Sequence, residues 1–427
     1  MKRRLMTIVA LVLVLAMALT ITAAVGGCKR GPKGVIKVGV AGPMQFIQGQ
    51  HHWLGAELAA EEINQAGGVD IGGDKYLIEL VKIDTNEILS VDDAAAAIER
   101  AITVDKVDFI VGTIRTEAAL AMQEVAMDHQ KIFIVCGASH TQLADKVAAD
   151  YDRYKYWFRV TPINVGHLVT TSMLLLQHVG QVVRDELGIQ TPKVAVIIEK
   201  AVAGDPLAAA AQMVIPSFGM QVVGVWRPSP TATDMTAELT AIRNSGANII
   251  YTYFSASAGV TYAKQWGELQ IPAASVGINV EAQAKGFMDA TGGFGNYEFT
   301  LNTLARIKIT DKTIPFYDKF VERSGQFPTY NAGTYDAIYI WKEAAERAAS
   351  LDSDDIVAEM EKTDYHAAAG RIVFDEKHDV KWGPGFVTAV GTQWQDGELV
   401  CVWPYGWQGI TYEGTVEYKL PPWMLGD

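Results

Sequence analysis

Short apolar runs alternate with helical stretches along most of this chain, and that alternation limits the fold to few architectures. Strands are predicted at 35–40, 76–83, 108–111 and 131–136, with helical periodicity between them. The alternation resumes beyond Tyr156, with strands predicted at 193–198, 220–226, 248–254 and 274–278. Strands joined by helices form right-handed βαβ units and mainly parallel sheets. The two runs therefore predict an α/β protein with two doubly wound lobes.

Local signals place the helices between these strands. A helix is predicted from Gly55 to the Gly67-Gly68 pair that ends it, and Ser90 with Asp93 forms a capping box that opens a helix to Thr103. Further helices are predicted at 116–128, 165–187, 206–218, 235–245, 256–269, 313–324, 331–350 and 353–363. The C-terminal third adds strands at 371–374, 386–394 and 398–403.

The order of these segments predicts the domain organisation. Long helices after residue 313 interrupt the second sheet, which the last strands then complete, so the chain crosses between the lobes three times. The predicted bounds are 1–27 for a leader, 28–33 for a linker, 34–160 plus 303–373 for lobe one, and 161–302 plus 374–427 for lobe two.

The N-terminus carries the pattern of an export signal. Lys2, Arg3 and Arg4 precede an apolar run over 5–25, and Gly26-Gly27 leads into Cys28. This ending resembles the lipobox of bacterial lipoproteins, in which the cysteine is acylated. A simple transmembrane anchor is the alternative, since the run is long enough to span a bilayer. We expect an exported protein in the periplasm or on the outer face of the cytoplasmic membrane, lipid-anchored at Cys28.

Charge and cysteine content exclude several function classes. A formal net charge of −13 disfavours nucleic acids and anionic lipids as partners. After Cys28 only Cys136 and Cys401 remain, which is too few for a disulfide framework, so two buried free thiols are expected. No CxxC or HExxH pattern occurs, and neither a metal nor another cofactor is expected.

Three polar groupings suggest chemistry but have simpler interpretations. The His51-His52 pair resembles a metal site, yet adjacent residues do not share a helix face. Cys136 ends a strand near His140, as a nucleophile and its base would. Asp375, Glu376 and His378 form a carboxylate–histidine set, which is expected to be a polar surface turn. None of these groupings predicts an enzyme.

Several segments, in order and over nearly the whole chain, resemble one known family. They are 38–44 (VGVAGPM), 55–64 (GAELAAEEIN), 158–162 (FRVTP), 374–379 (FDEKHD) and the Pro- and Trp-rich tail. The chain is similar in these segments to the branched-chain amino-acid-binding proteins of ABC importers. The resemblance implies the type I periplasmic-binding-protein fold, with a ligand cleft between two lobes joined by a three-crossing hinge.

Mapped onto lobe one, the resemblance implies contacts to a ligand carboxylate. Thr116 supplies a hydroxyl after the third strand of this lobe, and Gly137, Ala138 and Ser139 supply backbone groups and a hydroxyl after the fourth. Free N–H groups at helix starts hold a carboxylate without a cation, although Thr116 and Ser139 can also be simple helix caps. Arg115 is either a further carboxylate partner or a solvated surface arginine.

Other implied contacts depart from the family pattern or come from the cleft walls. Ala203 stands where amino-acid binders have an aromatic residue, Asn279 where they have an acid for the ligand ammonium, and Gln48 where they often have tyrosine. Glu281, two residues beyond Asn279, is a substitute for the missing charge. The remaining predicted contacts are Trp53 and Tyr253 as apolar walls of the cleft and the hydroxyl of Ser255. For Trp53, a core contact of the first helix is the alternative.

Two function classes follow. The first is a monomeric receptor that captures an amino acid or amino-acid-like molecule by hinge closure and presents it to the permease and ATPase subunits of an ABC importer; an aromatic or other organic acid or an amide is the alternative ligand. The second is a ligand-sensing receptor for a signalling partner. Both predict a cleft that binds a small molecule and no catalysis.

Replacement of Cys28 by serine tests the predicted lipid anchor. Wild-type protein should be cleaved before Cys28 and partition into the detergent phase, whereas Cys28→Ser should remain unprocessed, because serine offers no thiol to acylate. Phase partition with mass spectrometry of the N-terminus measures both. A wild-type protein in the aqueous phase, with an N-terminus other than Cys28, contradicts the prediction.

Overall fold

Two largely parallel sheets carry the fold in the computed structural model, which describes residues 32–200 and 204–426. The predicted leader, Cys28 and Ala203 lie outside the described residues. None of the helices in the described part is long and apolar enough to cross a membrane.

Sheet one contains six strands from the first part of the chain. They are β1 (Gly34–Gly42), β2 (Val69–Ile71), β3 (Asp74–Asp84), β4 (Phe109–Gly112), β5 (Phe133–Val135) and β6 (Trp157–Arg159). The strand order is β2-β3-β1-β4-β5-β6, parallel except for the β2–β3 pair. The helices of this part are α1 (Ile47–Gln65), α2 (Val91–Arg100), α3 (Thr116–Asp128), α4 (Gln142–Ala149) and α5 (Tyr151–Tyr154).

Sheet two is built by the middle of the chain and completed near its end. Its first five strands are β7 (Lys193–Ile198), β8 (Gln221–Trp226), β9 (Ile249–Phe254), β10 (Ala274–Asn279) and β11 (Phe299–Asn302). Helices and a separate hairpin follow, formed by β12 (Asp364–Ala367) and β13 (Gly370–Val373). The last two strands of sheet two are β14 (Val390–Gln395) and β15 (Glu398–Trp403). The order is β15-β14-β11-β10-β9-β7-β8, and β14 and β15 are the antiparallel additions. A short hairpin follows, β16 (Tyr405–Trp407) and β17 (Ile410–Thr411).

Helices of the second half divide between the two sheets. The bounds are α6 (Val165–Leu187), α7 (Gly204–Val214), α8 (Thr236–Asn244), α9 (Ala258–Glu268), α10 (Phe287–Ala290), α11 (Thr313–Ser324), α12 (Thr334–Ala348) and α13 (Ser353–Met360). Helix α6 packs on sheet two, where Ser172 Oγ lies 2.6 Å from the hydroxyl of Tyr251 on β9. Helix α12 packs on sheet one, where Trp341 stacks on Phe109 at 4.1 Å between ring centres.

The chain therefore passes between the sheets three times. The first crossing joins β6 to α6, the second joins β11 to α11, and the third joins β13 to β14. This arrangement confirms the predicted two-lobe α/β fold with a three-crossing hinge. The predicted helices 116–128, 165–187 and 313–324 and the strand 193–198 have the observed bounds.

Two of the differences from the sequence-based expectation involve buried histidines. Helix α1 begins at Ile47 instead of near Gly55, although Phe46 offers no side-chain cap, because its first turns bury the polar residues His51 and His52. The expected turn at 375–378 is present and Glu376 is exposed, but the expected surface position of His378 is wrong, since His378 is buried. Its ring stacks on Phe158 at 4.1 Å, because the third crossing packs against the end of β6.

Truncation of Trp341 tests the attachment of α12 to sheet one. Trp341→Ala should lower the free energy of unfolding by about 3–5 kcal/mol, the usual cost of removing a large buried aromatic side chain. Chemical denaturation measures the loss. Leu351→Ala, at an exposed residue just beyond the same helix, is the control and should change little. Equal stability of Trp341→Ala and wild type would contradict the packing described.

Candidate functional site

The strand order of each sheet identifies where a ligand can enter. In sheet one the order reverses between β1 and β4, and in sheet two between β7 and β9. Ligands of doubly wound sheets bind beyond the carboxyl ends of strands at such a reversal. The relevant segments are the loops after β1, β4 and the neighbouring β5 in lobe one, and after β7, β9 and the neighbouring β10 in lobe two.

A buried carboxylate shapes the loop after β4. Glu87 accepts hydrogen bonds from the Thr113 hydroxyl at 2.6 Å and from the Ile114 N–H at 2.8 Å. Burial raises the pKa of Glu87 to about 7. The two hydrogen bonds, with a third from the Arg115 backbone, favour the ionised form and only partly offset the effect of burial. Glu87 thus folds the backbone just before Thr116, and the first turn of α3 is placed by this contact.

The loop after β5 offers a run of free backbone donors. Within residues 32–200 and 204–426, no acceptor receives a hydrogen bond from the N–H groups of Gly137, Ala138, Ser139 or His140. Gly137 is required there, because a Cβ atom would lie 2.2 Å from the Thr113 carbonyl oxygen. Successive N–H groups without internal partners form a concavity suited to an anion such as a carboxylate.

The predicted lobe-one residues lie around these two loops. Thr116 and Ser139 are half-buried, and neither hydroxyl makes a hydrogen bond to another described residue. Arg115 is exposed, and its Nε lies 3.6 Å from Glu117. Gln48 is half-buried in the first turn of α1, which follows the carboxyl end of β1. The structure therefore brings the strand-end residues of lobe one to the same edge of its sheet.

Two strand ends in lobe two carry a carboxylate and its hydroxyl partner. Glu199 directly follows β7 and accepts a hydrogen bond from Ser255, which follows β9. Burial raises the pKa of Glu199, and its Oε2 has no partner among the described residues. Tyr253, next to these groups on β9, has its pKa raised by burial and by the negative charge of Glu199.

Tyr330 connects the strand ends of the two lobes. It begins the short 3₁₀ turn before α12, and its carbonyl accepts a hydrogen bond from Thr161 on the first crossing at 2.7 Å. Burial raises the pKa of Tyr330 to about 12, with further contributions from the charges of Glu281 in lobe two and Glu87 in lobe one. The charges of one carboxylate from each lobe therefore act on this phenol.

Glu281 is the second carboxylate on the lobe-two side. It follows β10 in a 3₁₀ turn, and burial raises its pKa. No lysine, arginine or histidine of the described residues forms an ion pair with Glu281 or Glu199. These two carboxylates are consequently available to a cationic group of a ligand.

Two predicted contacts are engaged elsewhere. Asn279 is fully buried, and its Nδ2 donates to the Gly259 carbonyl and to Glu298, each at 3.1 Å. Trp53 packs partly on the core, with Lys82 Nζ 4.2 Å from its ring centre. Asn279 is therefore engaged inside lobe two. Trp53 contacts the core but is only half-buried, and its contact with a ligand stays a prediction.

The suggested nucleophile and metal sites find no support. Cys136 and Cys401 are both buried and free, as expected, and burial raises the thiol pKa of each. His51 and His52 bind different groups, the Thr329 hydroxyl and the Cys136 carbonyl. The described ranges contain no group of three or more potential metal ligands.

Sequence reasoning missed Glu87, Glu199 and Tyr330. Glu199 had a usable signal, because it directly follows a buried strand whose carboxyl end was expected to face the ligand. Glu87 and Tyr330 lie in irregular segments, and only the folded chain brings them to the strand ends. Neither position has a local pattern that distinguishes it from a surface residue.

Fold and strand-end geometry together define a two-lobed binding protein, and a family comparison agrees. The sequence profile described as "Periplasmic binding protein" matches residues 35–397. The chain belongs to this family.

Particular relatives are distant but cover most of the chain. A Leu/Ile/Val-binding protein homolog 7 from Brucella abortus (strain 2308) is 22% identical over 378 residues, which cover 85% of this chain and 89% of that protein. The leucine-binding protein of Thermotoga maritima MSB8 superposes with a TM-score of 0.69 at 22% identity, over 86% of this chain and 97% of the other. A solute-binding protein from R. palustris in complex with benzoate superposes with a TM-score of 0.67 at 18% identity, over 86% of this chain and 96% of the other.

Replacement of Glu87 by glutamine tests the buried carboxylate under the lobe-one loop. Because the pKa of Glu87 rises from 4.5 to about 7 on folding, the folded protein holds this proton more tightly. The resulting stabilisation is complete below pH 4.5 and is lost as the pH rises to about 7. The stability of wild type relative to Glu87→Gln should therefore decline over this range, by about 3 kcal/mol in all, since each tenfold change in proton affinity is worth about 1.4 kcal/mol.

Thermal unfolding of the ligand-free protein across this pH range measures the effect. Glu268→Gln, at an exposed carboxylate on α9, is the control and should parallel wild type at every pH. A constant difference between wild type and Glu87→Gln would show that Glu87 does not titrate in this window.

Proposed function

We propose that this chain is the extracytoplasmic receptor of an ABC importer and binds an amino acid or a closely related molecule between its lobes. The names of the Brucella and Thermotoga relatives favour the amino-acid class. Capture without catalysis is in keeping with strand ends that hold hydrogen-bond donors and carboxylates but no nucleophile–base pair among the described residues. The partners under this proposal are a small-molecule ligand and the permease and ATPase subunits of the importer.

The observation that carries the proposal is the opposite polarity of the two sets of strand ends. Lobe one presents the N–H groups of 137–140 and the hydroxyls of Thr116 and Ser139, which suit a carboxylate. Lobe two presents Glu281 and Glu199 without a cation. An α-amino acid has one charged group for each side, and its ammonium would offset the cost of the buried carboxylates.

Under this proposal each lobe holds one end of the ligand. Thr116, Gly137, Ala138 and Ser139 bind the carboxylate, with Gln48 and Arg115 at the rim. Glu281 binds the ammonium in place of the residue at 279, while Ser255 and Glu199 extend the polar wall beside Tyr253. Trp53 contributes through the core beneath α1, and Ala203 lies outside the described residues.

An organic acid is the second candidate ligand. The benzoate complex of the R. palustris protein shows that a protein of this fold binds an aromatic acid. Such a ligand would use the lobe-one donors and leave Glu281 and Glu199 without a partner. The two unpaired carboxylates therefore favour the amino acid.

Localisation and motion complete the proposal. The mature chain would be held by a lipid on Cys28 at the outer face of the cytoplasmic membrane, as a monomer. Lobe one would comprise 34–160 plus 303–373 and lobe two 161–302 plus 374–427, closing as rigid bodies about the three crossings.

Calorimetric titration with matched probes tests the polarity of the site. L-leucine should bind, whereas 4-methylpentanoate, which lacks only the ammonium, and benzoate should bind much more weakly, because Glu281 and Glu199 then remain buried without a cation. Thr116→Ala should weaken L-leucine by about 1–3 kcal/mol, and Glu281→Gln by about 1.5–3 kcal/mol. Glu268→Gln is the control and should bind like wild type.

The pH dependence has a definite sign. Because burial raises the pKa of Glu281, L-leucine binding should weaken on acidification at a higher pH than for an ordinary glutamate. Tighter binding of benzoate than of L-leucine, with no effect of Glu281→Gln, would overturn the amino-acid proposal and favour the organic acid.

A further inference from the structure

The hinge holds the loop after β5 by three successive carbonyl groups. Arg159 donates from Nη1 to the Ala138 carbonyl at 3.1 Å and from Nη2 to the His140 carbonyl at 3.0 Å. Between them, the Ser139 carbonyl accepts a hydrogen bond from the Val165 N–H at 2.7 Å. Every carbonyl of this stretch is thus held by a residue of β6 or α6.

These donors lie on opposite sides of the first crossing. Arg159 is the last residue of β6 in sheet one, whereas Val165 is the first residue of α6, which packs on sheet two. The loop of Ser139 is therefore tied to both lobes. A rotation of α6 relative to sheet one must move the Ser139 carbonyl or break its bond.

The third crossing joins the same network. Arg159 Nε lies 3.0 Å from Asp379 Oδ1, and both side chains are buried. The other oxygen of Asp379 accepts from Asn164 Nδ2 at 3.1 Å, while Asn164 Oδ1 caps α6 by accepting from the His167 N–H at 3.1 Å. A continuous set of polar contacts therefore runs from the 138–140 loop through two crossings to the start of α6.

Only arginine can make this set of contacts. Its planar guanidinium presents donors in a fixed fork, so two of them reach two carbonyls. The third nitrogen, Nε, lies next to the Asp379 carboxylate as an ion-pair contact without hydrogen-bond geometry. A lysine ammonium at the same place can keep the ion pair but cannot span both carbonyls. Neutral residues would leave Asp379 buried and unpaired.

Anchored carbonyls also determine where the neighbouring N–H groups point. In a trans peptide unit the C=O and the N–H point in opposite directions. The N–H groups of Ser139 and His140 share peptide units with the Ala138 and Ser139 carbonyls and so point away from Arg159 and Val165. Both N–H groups lack an acceptor in the described part of the chain.

We propose that Arg159 is a positioning residue that holds the 138–140 loop for ligand binding and, through Asp379 and Asn164, couples that loop to rotation of α6. The inference deepens the proposed function, on which it rests, by naming the element that links ligand capture to the hinge. It assigns the Arg159–Asp379 pair a role in affinity as well as in folding.

The test compares Arg159→Lys with Phe158→Leu in the full mature chain. Phe158, the preceding residue on β6, stacks on His378 but makes no hydrogen bond from its side chain to the loop, so it controls for general destabilisation at the hinge. Both variants should lower the melting temperature. In the ligand-free protein, backbone ¹⁵N order parameters at 138–140 should fall from about 0.85 towards 0.6 only in Arg159→Lys, with 113–115 unchanged in both.

Ligand binding supplies the second readout. L-leucine should bind about tenfold more weakly to Arg159→Lys and unchanged to Phe158→Leu, at a temperature where both are folded. A rigid 138–140 loop in Arg159→Lys, or equal loss of order in both variants, overturns the inference. If wild type does not bind L-leucine, the proposed ligand fails, while the order parameters still decide the role of Arg159.

Discussion

The buried ion pair between Arg159 and Asp379 is the contact on which the geometry of this molecule depends. It lies where the first and third crossings meet, and both charges are removed from water. Burying two charges is costly unless hydrogen bonds satisfy the rest of each group. Here the carbonyls of 138 and 140 and the amide of Asn164 supply those bonds. The pair therefore ties the two crossings to the loop that follows β5.

Electrostatic polarity then determines what the lobes can hold. In the described part of the chain, the backbone donors of lobe one have no internal acceptor, and the strand-end carboxylates of lobe two have no internal cation. Under the proposed function, a ligand with a negative and a positive end would supply a partner to each side. The negative charges of Glu281 and Glu87, one from each lobe, both add to the rise of the pKa of Tyr330.

Much of the fold could be predicted from the sequence, because it rests on local periodicity. Helices 165–187 and 313–324 and strand 193–198 have strong patterns and clear ends. The resemblance to the family suggested Thr116 and Ser139, whose positions beyond strand ends follow from the same pattern, while their contact with a ligand stays a prediction. Contacts between distant segments could not be predicted. The early start of α1 depends on burial of His51 against Thr329, and the burial of His378 depends on Phe158.

The candidate site shows the same division. Glu87, Glu199 and Tyr330 act through neighbours that are remote in sequence, such as Thr113 for Glu87 and Ser255 for Glu199. Asn279 occupies the family's acidic position, yet its amide is consumed inside lobe two. The resemblance suggests that departure, but only the packing around β10 shows that the amide of Asn279 is already occupied.

Small-angle X-ray scattering of the mature chain during titration with L-leucine tests the central claim, that two lobes close around a zwitterionic ligand. The account predicts a smaller radius of gyration at saturation, with one transition at the ligand concentration where calorimetry detects binding. An unchanged radius of gyration at saturating, calorimetrically confirmed binding would contradict closure about the three crossings.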